Sequence, residues 1–178
     1  MSFELKKIDD LDSSEISKIV SIFFENSDVI FKNDREKASF QFKYLDYYIE
    51  NCSDFFNVSF YNDQICGYIC GDINIETIYD LAKYHKYLDL FQNSYKDYPA
   101  HLHINLSNRF QGLGIGSKMI EHFCSALLVA NCELNGVHII TSEDSRNVNF
   151  YSKNGFNDIR KDLVSDSKLI LMGKELQN

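Results

Sequence analysis

Between Tyr98 and Ala130 the periodicity of the chain changes twice. In "YPAHLHINL" (98–106), Ala100, Leu102, Ile104 and Leu106 alternate with His101, His103 and Asn105, the two-residue period of a strand. "RFQGLGIGSKM" (109–119) then sets Gly112, Gly114 and Gly116 at alternate positions. Ile115, Met119, Phe123, Leu127 and Ala130 follow at helical intervals. A strand passing through a glycine loop into a helix leaves backbone N–H groups exposed at the helix start. These groups and the helix dipole favour an anion, and glycine lets the backbone approach it. The expected ligand therefore carries phosphates.

Two common phosphate loops do not fit. A Walker loop needs G-K-[ST], whereas Lys118 stands between Ser117 and Met119. A dinucleotide fingerprint needs G-x-G-x-x-G at the opening of a βαβ unit. Here the spacing is G-x-G-x-G, and the loop comes late, after a hairpin.

The rest of the chain supplies the frame. "FELKKI" (3–8) reads as a strand, and "SSEISKIVSIFFEN" (13–26) as a helix with Ile16, Ile19, Val20 and Phe23 inward and Ser13 or Ser14 as its cap. "EKASFQFKYLDYYIEN" (36–51) reads as a second amphipathic helix, and residues 54–73 as a hairpin around Asn62-Asp63. Residues 74–98 read as one or two short inserted helices, with Leu81, Tyr84, Leu88 and Phe91 at helical spacing. The many tyrosines there either seal the insertion to the core or line an acceptor pocket. "GVHIITS" (136–142) is a strand, 144–155 a helix ended by a left-handed Gly155, and the remainder two closing strands.

Composition narrows the partners. With 178 residues, 44% of them hydrophobic, the chain has enough for a core and is most simply one domain. The 18 Lys+Arg against 26 Asp+Glu give a charge of −8, which disfavours nucleic acid and favours cationic small molecules or basic peptides. No apolar run suits a membrane span and no basic-then-apolar leader suits secretion, so a cytoplasmic protein without a membrane partner is expected. The five cysteines are odd in number and form no CxxC pair, which points to reduced core thiols and no metal site.

Gln111, Gly114 and Gly116 form Q-x-x-G-x-G, which resembles the acetyl-CoA loop of the GNAT N-acetyltransferases. "HLHINL" before it resembles the strand that carries the pantetheine arm, and "NFYSKNGF" (149–156) the family's closing FY-x-x-x-GF. The resemblance implies an α/β fold of three layers, α/β/α. A central mixed, mostly antiparallel sheet of about seven strands would be flanked by helices, as one domain over residues 1–178 with 74–98 inserted. It implies acetyl-CoA as cosubstrate and no metal. The amides of Gln111, Gly112, Leu113, Gly114, Ile115, Gly116 and Ser117 would cradle the pyrophosphate, and the backbone of Ile104, Asn105 and Leu106 would pair with the pantetheine. Arg109 and Lys118 are either extra charge for the phosphates or solvated surface positions. Two positions depart from the family pattern. Asn108 stands where many members have proline, and Asp144 where an asparagine contacts the coenzyme. Asn147, one turn nearer Tyr151, is the candidate substitute contact, with a helix-start role the plainer expectation for Asp144.

Acetyl transfer from a thioester needs a neutral amine, a donor for the oxyanion and a proton for the leaving thiolate. A backbone N–H of the 104–106 strand would meet the oxyanion. Tyr151 matches the family's acid, its alternative being a packing tyrosine beside Phe150. For the base, "AHLHINL" has no carboxylate; His101 and His103 share one strand face and have suitable chemistry. A structural role for both, with an ordered water as base, stays open. The expected function is transfer of an acetyl group to a primary amine of a small molecule or peptide by direct attack in a ternary complex, by a monomer or homodimer. The alternative is a non-catalytic acetyl-CoA-binding sensor or partner module.

Overall fold

A computed structural model describes residues 2–164 and 166–177. They form two compact units. One comprises the chain up to Gly71 with His103–Phe123, the other Asp72–Leu102 with the chain from Cys124 onward.

In the first unit, β1 (Phe3–Lys7) pairs antiparallel with β2 (Asn57–Tyr61), and β2 with β3 (Gln64–Asp72). The β2–β3 turn is the expected pair, with Asn62 at φ 48° and Asp63 at φ 61°, the left-handed geometry of a two-residue hairpin. Helix α1 (Ser13–Glu25) buries Ile19, Ile22 and Phe23. Its cap is Asp12, not Ser13 or Ser14, which lie inside the helix. The Asp12 carboxylate accepts the Ser14 and Glu15 amides at 2.8 and 2.9 Å, and the Glu15 side chain accepts the Asp12 amide at 3.0 Å. This reciprocal pair outcompetes a serine cap because each carboxylate satisfies donors that the other leaves. The expected second helix is α2 (Asp34–Gln41) and α3 (Tyr47–Asn51), joined by a wider π turn at Phe42–Asp46 and capped by Asn33.

In the second unit, α4 (Ile75–Ala82) and a 3-10 stretch at Lys86–Ser94 form the insertion. Leu81, Leu88, Phe91 and Tyr95 are buried, and the Tyr95 hydroxyl donates to the Leu88 carbonyl at 2.7 Å. These residues seal the insertion. Tyr84 falls outside that face and, like Tyr79, is exposed. Strands β5 (Gly136–Ser142), β6 (Asn157–Val164) and β7 (Ser167–Glu175) follow, with α6 (Asn147–Lys153) between β5 and β6. Gly136 and Gly173 make room for Tyr98: a Cβ on either would lie 2.6 Å from its ring.

β4 (Ala100–Leu106) contributes to both units and leads to α5 (Ile115–Ala130). The seven strands run in the order β1-β2-β3-β4-β5-β7-β6, with β5–β7 and β6–β7 also antiparallel. β4 and β5 pair in parallel at Ala100–Val137 and His101–His138. The mixed, mostly antiparallel sheet flanked by helices is the architecture that the family resemblance implies. On α5, Ile115, Met119, Phe123 and Leu127 are buried as the spacing requires, while Ala130 at the end is exposed.

Candidate active site

In the first unit the site is built on the end of β4. Gly67 of β3 permits close approach there: a Cβ would stand 2.4 Å from the Asn105 carbonyl oxygen and 2.8 Å from the Leu106 side chain. The Ser107 amide donates to the Cys66 carbonyl at 2.8 Å, and Asn26 of the α1 end donates to the Leu106 carbonyl at 3.2 Å. A 3-10 turn at Asn108–Phe110 leads into the loop. Gln111 ties that turn down, its side-chain amide donating to the Asn108 side chain at 3.0 Å and the Leu106 carbonyl at 3.3 Å.

Gly112 and Gly114 have φ of 78° and 76°, so left-handed backbone, and not only closeness to a ligand, is what requires glycine. Nothing lies within 4 Å of where a Cβ would stand on either. The Lys118 amide donates to the Gly114 carbonyl at 3.3 Å, which marks the start of α5. The preceding amides of Ile115, Gly116 and Ser117 belong to the first helical turn, where no intrahelical carbonyl is available. Gln111, Gly112, Leu113, Gly114 and Ser117 are exposed. Exposed backbone ahead of a helix start is an arrangement that could hold an anion. Arg109 lies over the Phe110 ring at 4.9 Å and Lys118 over the Phe3 ring at 5.4 Å, so each cation already has an aromatic neighbour.

The β4 side chains have distinct neighbours. His103 is half-buried with its ring 5.0 Å from that of Tyr48. Asn105 donates to the Tyr68 hydroxyl at 2.7 Å, and burial holds that phenol well above its usual pKa. His101, in the second unit, is only 3% exposed, with its ring 6.0 Å from that of His138. The α1–α2 connection, directly after Glu25 and Asn26, forms a groove of about 480 Å³ lined by residues including Phe24, Val29, Phe31, Lys32 and Lys37.

In the second unit, Tyr151 is fixed by the end of α6. The Phe156 amide donates to the Tyr151 carbonyl at 3.1 Å and the Gly155 amide to the Ser152 carbonyl at 3.1 Å. Gly155 has φ 86°, and the Tyr151 and Phe156 rings meet edge-on at 5.6 Å. This is a Schellman ending with its hydrophobic clasp, and its geometry dictates the Y-x-x-x-G-F spacing. Tyr151 is buried, and desolvation raises its phenol pKa, keeping it protonated. Helix α6 begins only at Asn147, whose amide donates to the Ser145 hydroxyl at 3.1 Å. Asp144 therefore lies before the helix and does not start it; the cap position is Arg146, which makes no side-chain cap bond. Asn147 is exposed.

Sequence reasoning did not find Glu25, Asn26, Tyr48 or Tyr68, because their partners are set by sheet order and not by local spacing. Gly67 did carry a signal, as an isolated glycine in a strand often marks close backbone approach. Among the described residues no group of three or more His, Cys, Asp or Glu could hold a metal, and no helix is long and apolar enough to cross a membrane.

A strand, an open glycine cradle and a helix start, set in this seven-strand order, define an acetyltransferase architecture. The family model of the acetyltransferase (GNAT) domain matches residues 53–158, more than half of the chain, and the chain belongs to that family. Among solved structures it is similar to a protein of Pyrococcus horikoshii OT3 (TM-score 0.72, 19% identity, 99% of each chain). It is also similar to the ribosomal-protein-S18-alanine N-acetyltransferase of Escherichia coli (TM-score 0.62, 12% identity, 99% of this chain and 96% of that one). A third is the PaiA N-acetyltransferase of Thermoplasma acidophilum, solved with coenzyme A (TM-score 0.61, 14% identity, 98% and 99%).

Proposed function

We propose that this chain transfers the acetyl group of acetyl-CoA to a primary amine of a small molecule or peptide. The observation that carries the reading is the open left-handed Gly112/Gly114 cradle in front of the α5 amides. Residues Gln111 to Ser117 hold the pyrophosphate, and the backbone of Ile104 to Leu106, beyond the two-pair ladder with β5, meets the pantetheine. Asn147, exposed at the start of α6, is carried as a further coenzyme contact.

Bound acetyl-CoA supplies an acyl group activated as a thioester. A primary alkylammonium has a pKa near ~10.4 and must lose a proton before it can attack. His103, half-buried against Tyr48, takes that proton directly or through a water; His101, almost wholly buried, serves the strand. A β4 amide stabilises the charge on the carbonyl oxygen. As the new C–N bond forms and the C–S bond breaks, Tyr151 gives its phenolic proton to the sulfur, and the second proton shed by the acylated nitrogen passes through solvent to restore the phenol, so that the products are the N-acetyl amide and the CoA thiol. Burial raises its pKa and so keeps the phenol protonated at neutral pH, the form a donor needs; the same shift makes it a weaker acid, so the transfer depends on the thiolate forming beside it. A cytoplasmic setting is proposed, in keeping with five free thiols.

An amine library offered with acetyl-CoA and read by thiol release tests the reading. Expected is release that depends on one class of amine. Tight acetyl-CoA binding without turnover on any amine would favour the sensor or partner module instead.

A further inference from the structure

Helix α1 ends on Glu25, and its last turn carries no basic residue. A carboxylate at a helix C-terminus is disfavoured by the helix dipole, so this one needs a compensating partner. It has one 83 positions away: Glu25 Oε1 accepts the Asn108 amide at 2.9 Å, with the Ser107 hydroxyl at 3.4 Å. The next residue of the same turn, Asn26, donates to both the Ile22 and Leu106 carbonyls, at 2.8 and 3.2 Å. Successive amides at the end of β4 are thus pinned to different elements, Ser107 to β3 and Asn108 to α1. Asn108 opens the 3-10 turn, and its side chain in turn accepts from Gln111, the first residue of the cradle.

We infer that Glu25 is a positioning residue: it fixes the start of the coenzyme loop by holding the Asn108 amide, and so preorganises the cradle for acetyl-CoA. The inference rests on the reading of residues 111–117 as that cradle. A carboxylate is not chemically required for the bond, because a glutamine carbonyl accepts the same amide. Nor is the amide required if the backbone is stiffened another way. Ser107 has φ −58° and ψ 138°, the extended conformation favoured before proline, and Asn108 is the first residue of a turn, where proline is well tolerated. Asn108→Pro therefore removes the donor that Glu25 serves and fixes the chain by its ring.

Two measurements on the full chain test this. Hydrogen exchange without ligand reads the link itself: Glu25→Ala should speed exchange at Asn108 and through residues 109–112, and Glu25→Gln should leave it near wild type. Unchanged exchange in Glu25→Ala overturns the inference whatever the coenzyme does. Calorimetric titration with acetyl-CoA reads the consequence. Glu25→Ala should weaken affinity by about tenfold, the scale of one hydrogen bond to a charged acceptor. Glu25→Gln should restore it, and in the Asn108→Pro background Glu25→Ala should cost nothing further. An equal loss in both backgrounds, or a glutamine variant as weak as alanine, overturns the positioning role. A wild-type protein that does not bind acetyl-CoA instead refutes the cradle reading, and the exchange result still decides the Glu25 link.

Discussion

Tyr151 illustrates how a family signature arises from helix geometry. The glycine four positions on is required by the left-handed turn that ends α6, and the phenylalanine after it clasps the tyrosine ring. That structural cause accounts for the spacing and for the ring, but an edge-on contact would be as good with phenylalanine at position 151. The hydroxyl is the part that the proposed acid role would use. Tyr151→Phe should therefore keep a near-native melting temperature, since no cavity is made. Turnover on the acceptor found by the amine screen should fall ~10²–10⁴-fold, the usual worth of a positioned acid. The KM for acetyl-CoA should change little, because the ground-state thioester has no sulfur charge to protonate. Full turnover in the variant would remove Tyr151 from the acid role, and an unfolded variant would reassign its hydroxyl to the core.

At the scale of elements, the strand–loop–helix unit of β4 and α5 is where two glycine requirements differ. Gly114 needs a left-handed backbone with open space around it, whereas Gly67 needs the space itself. Gly114→Asp adds strain and a negative charge at the proposed anion cradle, and should abolish acetyl-CoA binding in calorimetry while far-UV circular dichroism stays native. Wild-type affinity in the folded variant would show that the loop does not hold the coenzyme. Gly67→Ala meets backbone at 2.4 Å and must displace the end of β4, so it should lower the melting temperature as well as affinity. A melting temperature equal to wild type would contradict that contact. The unit was legible because its signal is local: alternation, then glycines, then a helical repeat. The hairpin turn at Asn62-Asp63 was legible for the same reason. The Asp12 cap was within reach too, since Asp12 and Glu15 have capping-box spacing, but serine preference pointed one or two residues too far, to Ser13 or Ser14. The start of α6 was misplaced because Asp144 looks like a good cap, whereas the chain turns at 143–146 first, with the Ser145 hydroxyl accepting the Asn147 amide. The Glu25–Asn108 bond had no local signal at all, because only the order of strands and helices brings residues 83 apart together.

For the whole molecule, the acid limit of stability is set in part by a histidine outside the proposed chemistry. His138 on β5 is 1% exposed, stacked on Tyr95 at 5.0 Å and near the His101 ring, with Nδ1 2.6 Å from the Tyr98 carbonyl. Desolvation lowers its pKa to about 4, against the partial support of the Tyr98 and Ala100 backbone. The folded state thus keeps His138 neutral while the unfolded chain takes up a proton near pH ~6.5. As pH falls through that value the unfolded state gains protons that the folded state does not, so stability declines, and the decline is complete only below about pH 4. Between pH 7 and 5 the loss from this residue should be about 2 kcal/mol. That window lies above the range in which most carboxylates titrate. Denaturant unfolding at pH 7, 6 and 5 should show His138→Gln less stable than wild type at pH 7, since it disturbs a buried bond, yet with a shallower fall toward pH 5. Wild type and variant should draw together by about the same ~2 kcal/mol as the pH drops. Parallel curves, with the difference between the two proteins constant across the three pH values, would mean that His138 takes up its proton in the folded state as readily as in the unfolded chain.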